Sequence, residues 1–179
     1  MFVLGVDPGV SRCGYGCISS DAPSGRRGGG AGLSVVAMGV ITTPPADELP
    51  ARLAALDAEL RRLLDELRPD AVAVERLFFQ TNARTAMSVG QASGLALAAA
   101  SAAGAHVVQY TPNEVKQAVA GFGAAPKEQV QRMVQAQLKL AEKPEPADVA
   151  DALALALCHL AMAPLAARVR AASDLRVAR

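Results

Sequence analysis

Two short apolar runs, residues 2–6 (FVLGV) and 71–74 (AVAV), each stop at a carboxylate, Asp7 and Glu75. An apolar run without alternation predicts a strand covered on both faces, so the chain needs helices on either side of a sheet. The rest of the chain fits that demand. Residues 13–19 and 33–42 are further β-branched runs separated by glycine-containing turns, which predicts an opening three-strand meander. Residues 47–67 place Leu49, Leu53, Leu56, Leu60, Leu63, Leu64 and Leu67 three and four apart, a single leucine stripe on a helix. Pro69 and Asp70 end it before the strand 71–75. Asn82 suits the cap of an Ala-rich helix to about residue 103, followed by a strand at 106–110. Two helices are expected between residues 111 and 139, interrupted at 121–126, and a last one from about Pro146 to Met162. The expected architecture is α/β, a five-stranded mixed sheet with three antiparallel strands and then parallel ones, flanked by helices. Residues 1–163 read as one domain and 164–179 as a flexible basic tail.

With 179 residues there is no room for two full lobes. Ala supplies 38 of them, only 3% are aromatic and Trp is absent, so the core is built from small side chains on closely packed helices. A formal net charge of +1 implies neither disorder nor wholesale polyanion binding, and any charge-driven function depends on where the charges sit. The N-terminus lacks a basic region before its short apolar run, and the longest apolar stretch, near residues 95–103, is about half of what a membrane span needs. A cytoplasmic protein is expected. Cys13, Cys17 and Cys158 form an odd set without a zinc spacing and read as reduced, packed thiols.

Asp148 and Asp151 stand three apart inside an otherwise apolar Ala/Leu helix. Asp148 also suits the first turn of that helix on its own, where an acid is favoured. Together with Asp7 and Glu75, however, these acids sit where a core should be unless they meet. A converging set of half-buried carboxylates requires protons, basic partners or cations, and Mg²⁺ prefers a few carboxylates while keeping waters for substrate. Two such ions can activate water on one side of a phosphodiester and stabilise the leaving oxygen on the other. The charge map favours a nucleic acid: residues 76–143 carry Arg76, Arg84, Lys116, Lys127, Arg132, Lys139 and Lys143 for a net of +4, whereas residues 47–70 carry a net of −3.

The strings GVDPGVSRCGYG, AVERLFF, GQASG, VKQAVAGFGAAPKEQV and DVADALALALCH, in this order, resemble the RuvC family of Holliday junction resolvases, in the ribonuclease H-like superfamily. The resemblance covers residues 1–162. It implies a ribonuclease H-like fold and a homodimer that binds a four-way DNA junction and, with two Mg²⁺ ions per site (Mn²⁺ substituting), nicks two strands of like polarity symmetrically in recombination and repair. Carried over by motif, Asp7, Glu75, Asp148 and Asp151 become the catalytic, metal-binding acids. Asp148 stands where some relatives have a histidine, which implies an all-carboxylate site. Phe78 falls on the position of an aromatic that stacks on an unpaired base, with Phe79 its ambiguous neighbour. Lys116 and Lys127 match lysines that contact phosphates, and Arg84 belongs to the same DNA-binding set. Gly90 and Gly94 lie four apart on the helix through which the family dimerises, although packing onto the chain's own sheet would also use them. RuvA and RuvB are the partners the resemblance implies. His106 and His159 read as structural histidines.

Three other readings compete. A ribosomal-RNA precursor nuclease of the same superfamily would lack the VERLFF and VKQAVAGFG blocks, and a sugar-kinase or actin-like ATPase would need two lobes. A non-catalytic junction-binding module would have lost one or more of the acids. The glycine-rich segment 21–32, with Arg26 and Arg27, reads as an exposed loop longer than the family's.

Overall fold

The computed structural model describes residues 1–22, 32–76 and 83–177, with side chains described at all of these except 21–22, 83–86 and 164–177. Most of the glycine-rich segment, Phe78, Phe79 and Asn82 therefore lie outside the described residues. The elements follow in the order β1 (Phe2–Asp7), β2 (Arg12–Ala22), β3 (Gly32–Thr42), α1 (Leu49–Leu67), β4 (Ala71–Glu75), α2 (Ala83–Ala102), β5 (His106–Tyr110), α3 (Pro112–Ala120), α4 (Lys127–Leu138) and α5 (Ala147–Val177). The five strands form one sheet in the order β3-β2-β1-β4-β5. β1, β2 and β3 pair antiparallel, while β4 is parallel to both β1 and β5. This is the mixed sheet that the strand pattern predicts.

Successive strand side chains point to opposite faces, and the residues obey that parity. Val3, Ala71 and Ala73 enter the core shared with α3, α4 and α5. Leu4, Val6, Val72 and Val74 enter the one shared with α1 and α2, where the stripe residues Leu56, Leu60, Leu63 and Leu64 are buried. Leu49, at the mouth of α1, stays 38% exposed. The same parity turns Asp7 and Glu75 toward the α5 face.

How near α5 comes to the sheet is set by glycines. The register pairs Gly5 with Gly16 and Asp7 with Gly14. A Cβ on Gly5 would collide with the carbonyl of Ala152, one on Gly14 with the carbonyl of Asp148, and one on Gly16 would lie 2.6 Å from Leu153 Cδ2. The helix thus rests on bare backbone of β1 and β2.

One expectation is corrected. α5 does not stop near residue 162 but continues to Val177. The Ala- and Arg-rich sequence beyond Pro164 has high helix propensity, and it outweighs the single donor that the proline lacks. Among the described residues no helix is long and apolar enough to cross a membrane.

Candidate active site

The parallel register runs from Val3–Ala71 to Val6–Val74, so Asp7 and Glu75 occupy the next position on neighbouring strands. Both stand at carboxyl ends, where ligands bind in open parallel sheets. The turn after Asp7 closes tightly: a Cβ on Gly9 would collide with the Arg12 carbonyl. It is also buttressed from α1. Thr43 Oγ1 donates to the Val10 carbonyl at 2.6 Å, while Arg52 donates to Thr43 Oγ1 at 3.0 Å and to Ser11 Oγ at 2.5 Å.

α5 brings the other two acids. Asp148 lies in its first turn, and its backbone sits against Gly14, which faces Asp7 across the β1–β2 pair. Asp151 follows one turn later on the same side. Each of these two acids has a cation. Arg12, at the start of β2, donates Nε and Nη2 to Asp148 Oδ2 at 3.1 and 2.8 Å. Lys127 donates Nζ to Asp151 Oδ2 at 2.5 Å. A lysine at the first position of α4 opposes the helix dipole, a cost its carboxylate partner offsets.

Helix α3 supplies Lys116 from a well-fixed frame. Thr111 caps it by accepting from the Glu114 N–H, Glu114 accepts from the Thr111 N–H, and Pro112 occupies the first turn. That reciprocal bond, chiefly the one from the Thr111 backbone, holds the Glu114 carboxyl below its ordinary range. Gln137 Nε2 donates to the Val119 carbonyl at 2.9 Å and ties α4 to α3. Between these helices, α5 and the strand ends opens a cleft of about 390 Å³, lined by Asp7, Glu75, Lys116, Lys127 and Asp151 among others.

The acids feel one another. Burial, then the charges of Glu75, Asp151 and Asp148, push the Asp7 carboxyl up to about 7, with Lys127 opposing. Burial and the charge of Asp151 also raise Glu75, again against Lys127. Lys127 itself is raised: desolvation pulls it down, but its bond to Asp151 and the surrounding acids more than compensate. Four carboxylates therefore face two cations, and Asp7, where burial and three neighbouring acids act together, is shifted to about 7.

The four acids singled out in the sequence come together here, and Lys116 and Lys127 stand beside them. Arg84 lies in α2 with its side chain outside the described residues, as Phe78 is altogether. Among the described residues, Gly90 and Gly94 do not pack onto the chain's own sheet, since a Cβ at either would meet none of their atoms within 4 Å. His159 is buried and shares a 2.9 Å hydrogen bond with the Tyr110 hydroxyl, and the three cysteines are buried free thiols. Sequence reasoning missed Arg12. No local sequence pattern points to it, since its partner lies 136 positions away.

All four acids are hard oxygen donors, and burial with three neighbouring acids disfavours the charged form of Asp7 when no cation is near, so the set suits a divalent cation. Among the described residues, no three or more His, Cys, Asp or Glu side chains are arranged to share one ion as they stand. Two of the four acids are engaged with Arg12 and Lys127.

Comparison with known proteins identifies the family. Residues 3–159 match the family described as crossover junction endodeoxyribonuclease RuvC. A protein of that name from Moorella thermoacetica is 51% identical over 164 residues, covering 92% of this chain and 93% of the relative. The structure of Thermus thermophilus RuvC superposes with a TM-score of 0.82 at 38% identity, over 93% of this chain and 97% of that one. T. thermophilus RuvC in complex with a Holliday junction substrate superposes with a TM-score of 0.80 at 36% identity, over 92% and 96% of the two chains. On sequence and fold, the chain belongs to the RuvC family of crossover junction endodeoxyribonucleases.

Proposed function

We propose that this chain resolves Holliday junctions by metal-dependent hydrolysis of two strands of like polarity, with Asp7, Glu75, Asp148 and Asp151 as its metal-binding acids. The observation that carries the reading is the convergence of acids from two parallel strand ends and one helix in a cleft that also holds two lysines. Two divalent ions, Mg²⁺ with Mn²⁺ substituting, would lower the pKa of a water and take up charge developing on the scissile phosphate. The chain's own residues do the rest. Asp7 and Glu75 are fixed by their strands and Asp148 and Asp151 by the α5 backbone, so the backbone positions are set in advance, and side-chain rotation with exchange of the Arg12 and Lys127 contacts completes the ligand set. Lys116 meets a strand phosphate at the cleft wall, and Lys127 reaches both Asp151 and the strand.

Two copies are expected to act together, because a junction presents two equivalent strands. The outer surface of α2 supports this role. Met87 is 66% exposed, and Gly90 and Gly94 leave the backbone bare for another helix. Phe78 and Arg84 are assigned to the DNA as the motif implies, and RuvA and RuvB are the expected partners in branch migration.

The test is incubation with a mobile four-way junction, with duplex of the same sequence and with structured RNA, in Mg²⁺, Mn²⁺ or chelator. Paired symmetric nicks in the junction alone, absent in chelator, are expected. Binding without cutting, or cleavage of the RNA, would overturn the reading. In the same assay Lys116→Ala is expected to lower the slope of log affinity against log salt by about one, as loss of one phosphate contact should. An unchanged slope removes Lys116 from the DNA-binding set.

A further inference from the structure

We propose that Arg12 is an internal counter-cation of the acid site, holding Asp148 in the metal-free protein and releasing it when a divalent cation binds. The inference rests on the metal-binding role given above to the acids and adds a residue that the motifs do not assign.

Three observations point to it. First, both guanidinium contacts fall on one oxygen, Oδ2 of Asp148, at 3.1 and 2.8 Å. They can be broken by rotation of the arginine side chain alone, leaving α5 in place. Second, the Arg12 backbone is fixed while its side chain is accessible. The residue pairs with Thr42 in the β2–β3 ladder, and its neighbour Ser11 is held by Arg52. The side chains of Arg12 and Asp148 are 50% and 28% exposed, so an incoming cation can compete for the carboxylate from solvent. Third, the pair has little value as a stability device, because solvent screening and side-chain ordering leave exposed ion pairs with little net stabilisation. Its placement matters more than its strength. It neutralises the one α5 acid whose backbone rests on Gly14, the residue facing Asp7.

A cation that must be displaced weakens the binding of the one that displaces it. Removing the Arg12 charge is therefore expected to tighten divalent binding, whereas loss of a merely structural contact would loosen the site and weaken it. The opposite signs make the proposal testable without any measurement of cleavage.

The experiment titrates Mn²⁺ into the full chain without DNA and follows the electron paramagnetic resonance signal of the free ion. Arg12→Gln is expected to bind Mn²⁺ about three- to tenfold more tightly than wild type, the size of a partly screened unit-charge interaction at close range. Arg12→Lys keeps the charge and is expected within about twofold of wild type. This distinguishes loss of charge from loss of packing. In an Asp148→Asn background the Arg12→Gln effect is expected to vanish, since the two side chains act on each other. Unchanged or weaker Mn²⁺ binding by Arg12→Gln, with wild type binding normally, overturns the role of Arg12 alone. Failure of wild type and variant alike to bind Mn²⁺ overturns the metal-site reading as well.

Discussion

Asp7→Asn is expected to reduce junction cleavage at least about 10³-fold, leave junction binding within a fewfold of wild type, and stabilise the metal-free protein at neutral and alkaline pH. The first effect follows from taking one anionic ligand out of the charge-stabilising set. The second follows because binding depends on the basic surface, which lies on other residues. The third can be worked out from the acid itself. Burial and the neighbouring acids raise the Asp7 carboxyl from 3.8 to about 7. Between those values the folded chain holds a proton that the unfolded chain has released, so stability falls as pH rises through this window and levels off above it. A shift of that size amounts to at most about 4 kcal/mol. The asparagine variant carries no such charge and escapes the loss. Urea unfolding in chelator should show the two proteins converging near pH 4 and the variant more stable at pH 8. Parallel pH curves, or a variant that still cuts, would remove Asp7 from the centre of the site.

This opposition between stability and chemistry also explains what could be read in the sequence. Runs governed by local rules were legible to the residue: the strands 71–75 and 106–110 appear as β4 and β5, and the break at 121–126 separates α3 from α4. The acids were legible for a related reason, because a carboxylate at the end of an apolar run conflicts with burial and the conflict shows in one dimension. What depends on two distant segments was not. Arg12 and Asp148 are 136 positions apart, and neither carries a local pattern that points to the other. Lys127 was read from its motif as a phosphate contact, and the structure adds its pairing with Asp151. Gly5 and Gly16 look like ordinary strand glycines until a helix from the far end of the chain is laid across them. The extent of α5 was missed because Pro164 is a strong local signal, and in the chain it is overruled by the residues that follow.

Gly14→Ala tests that long-range dependence with the smallest possible change. The added methyl meets the Asp148 carbonyl and would stand 3.0 Å from its Cβ. Both belong to backbone or backbone-fixed atoms, so the start of α5 has to move away from the sheet. Overpacking of this kind costs about 1–3 kcal/mol, which urea unfolding would register. The larger consequence is chemical. Asp148 and Asp151 ride on the displaced turn, and a misplacement of about 1 Å in a reacting constellation can cost on the order of 10²-fold in rate. Gly16→Ala provides the contrast, since the nearest atoms its methyl meets are Cδ2 and Cγ of the buried Leu153 side chain, at 2.6 and 2.8 Å, with the helix backbone farther off at 3.2 Å. Gly14→Ala is expected to lose cleavage far out of proportion to its stability, and Gly16→Ala to lose stability with cleavage largely kept. If Gly14→Ala cut junctions within twofold of wild type, the close seat of α5 on β2 would not be what aligns its two acids with Asp7 and Glu75.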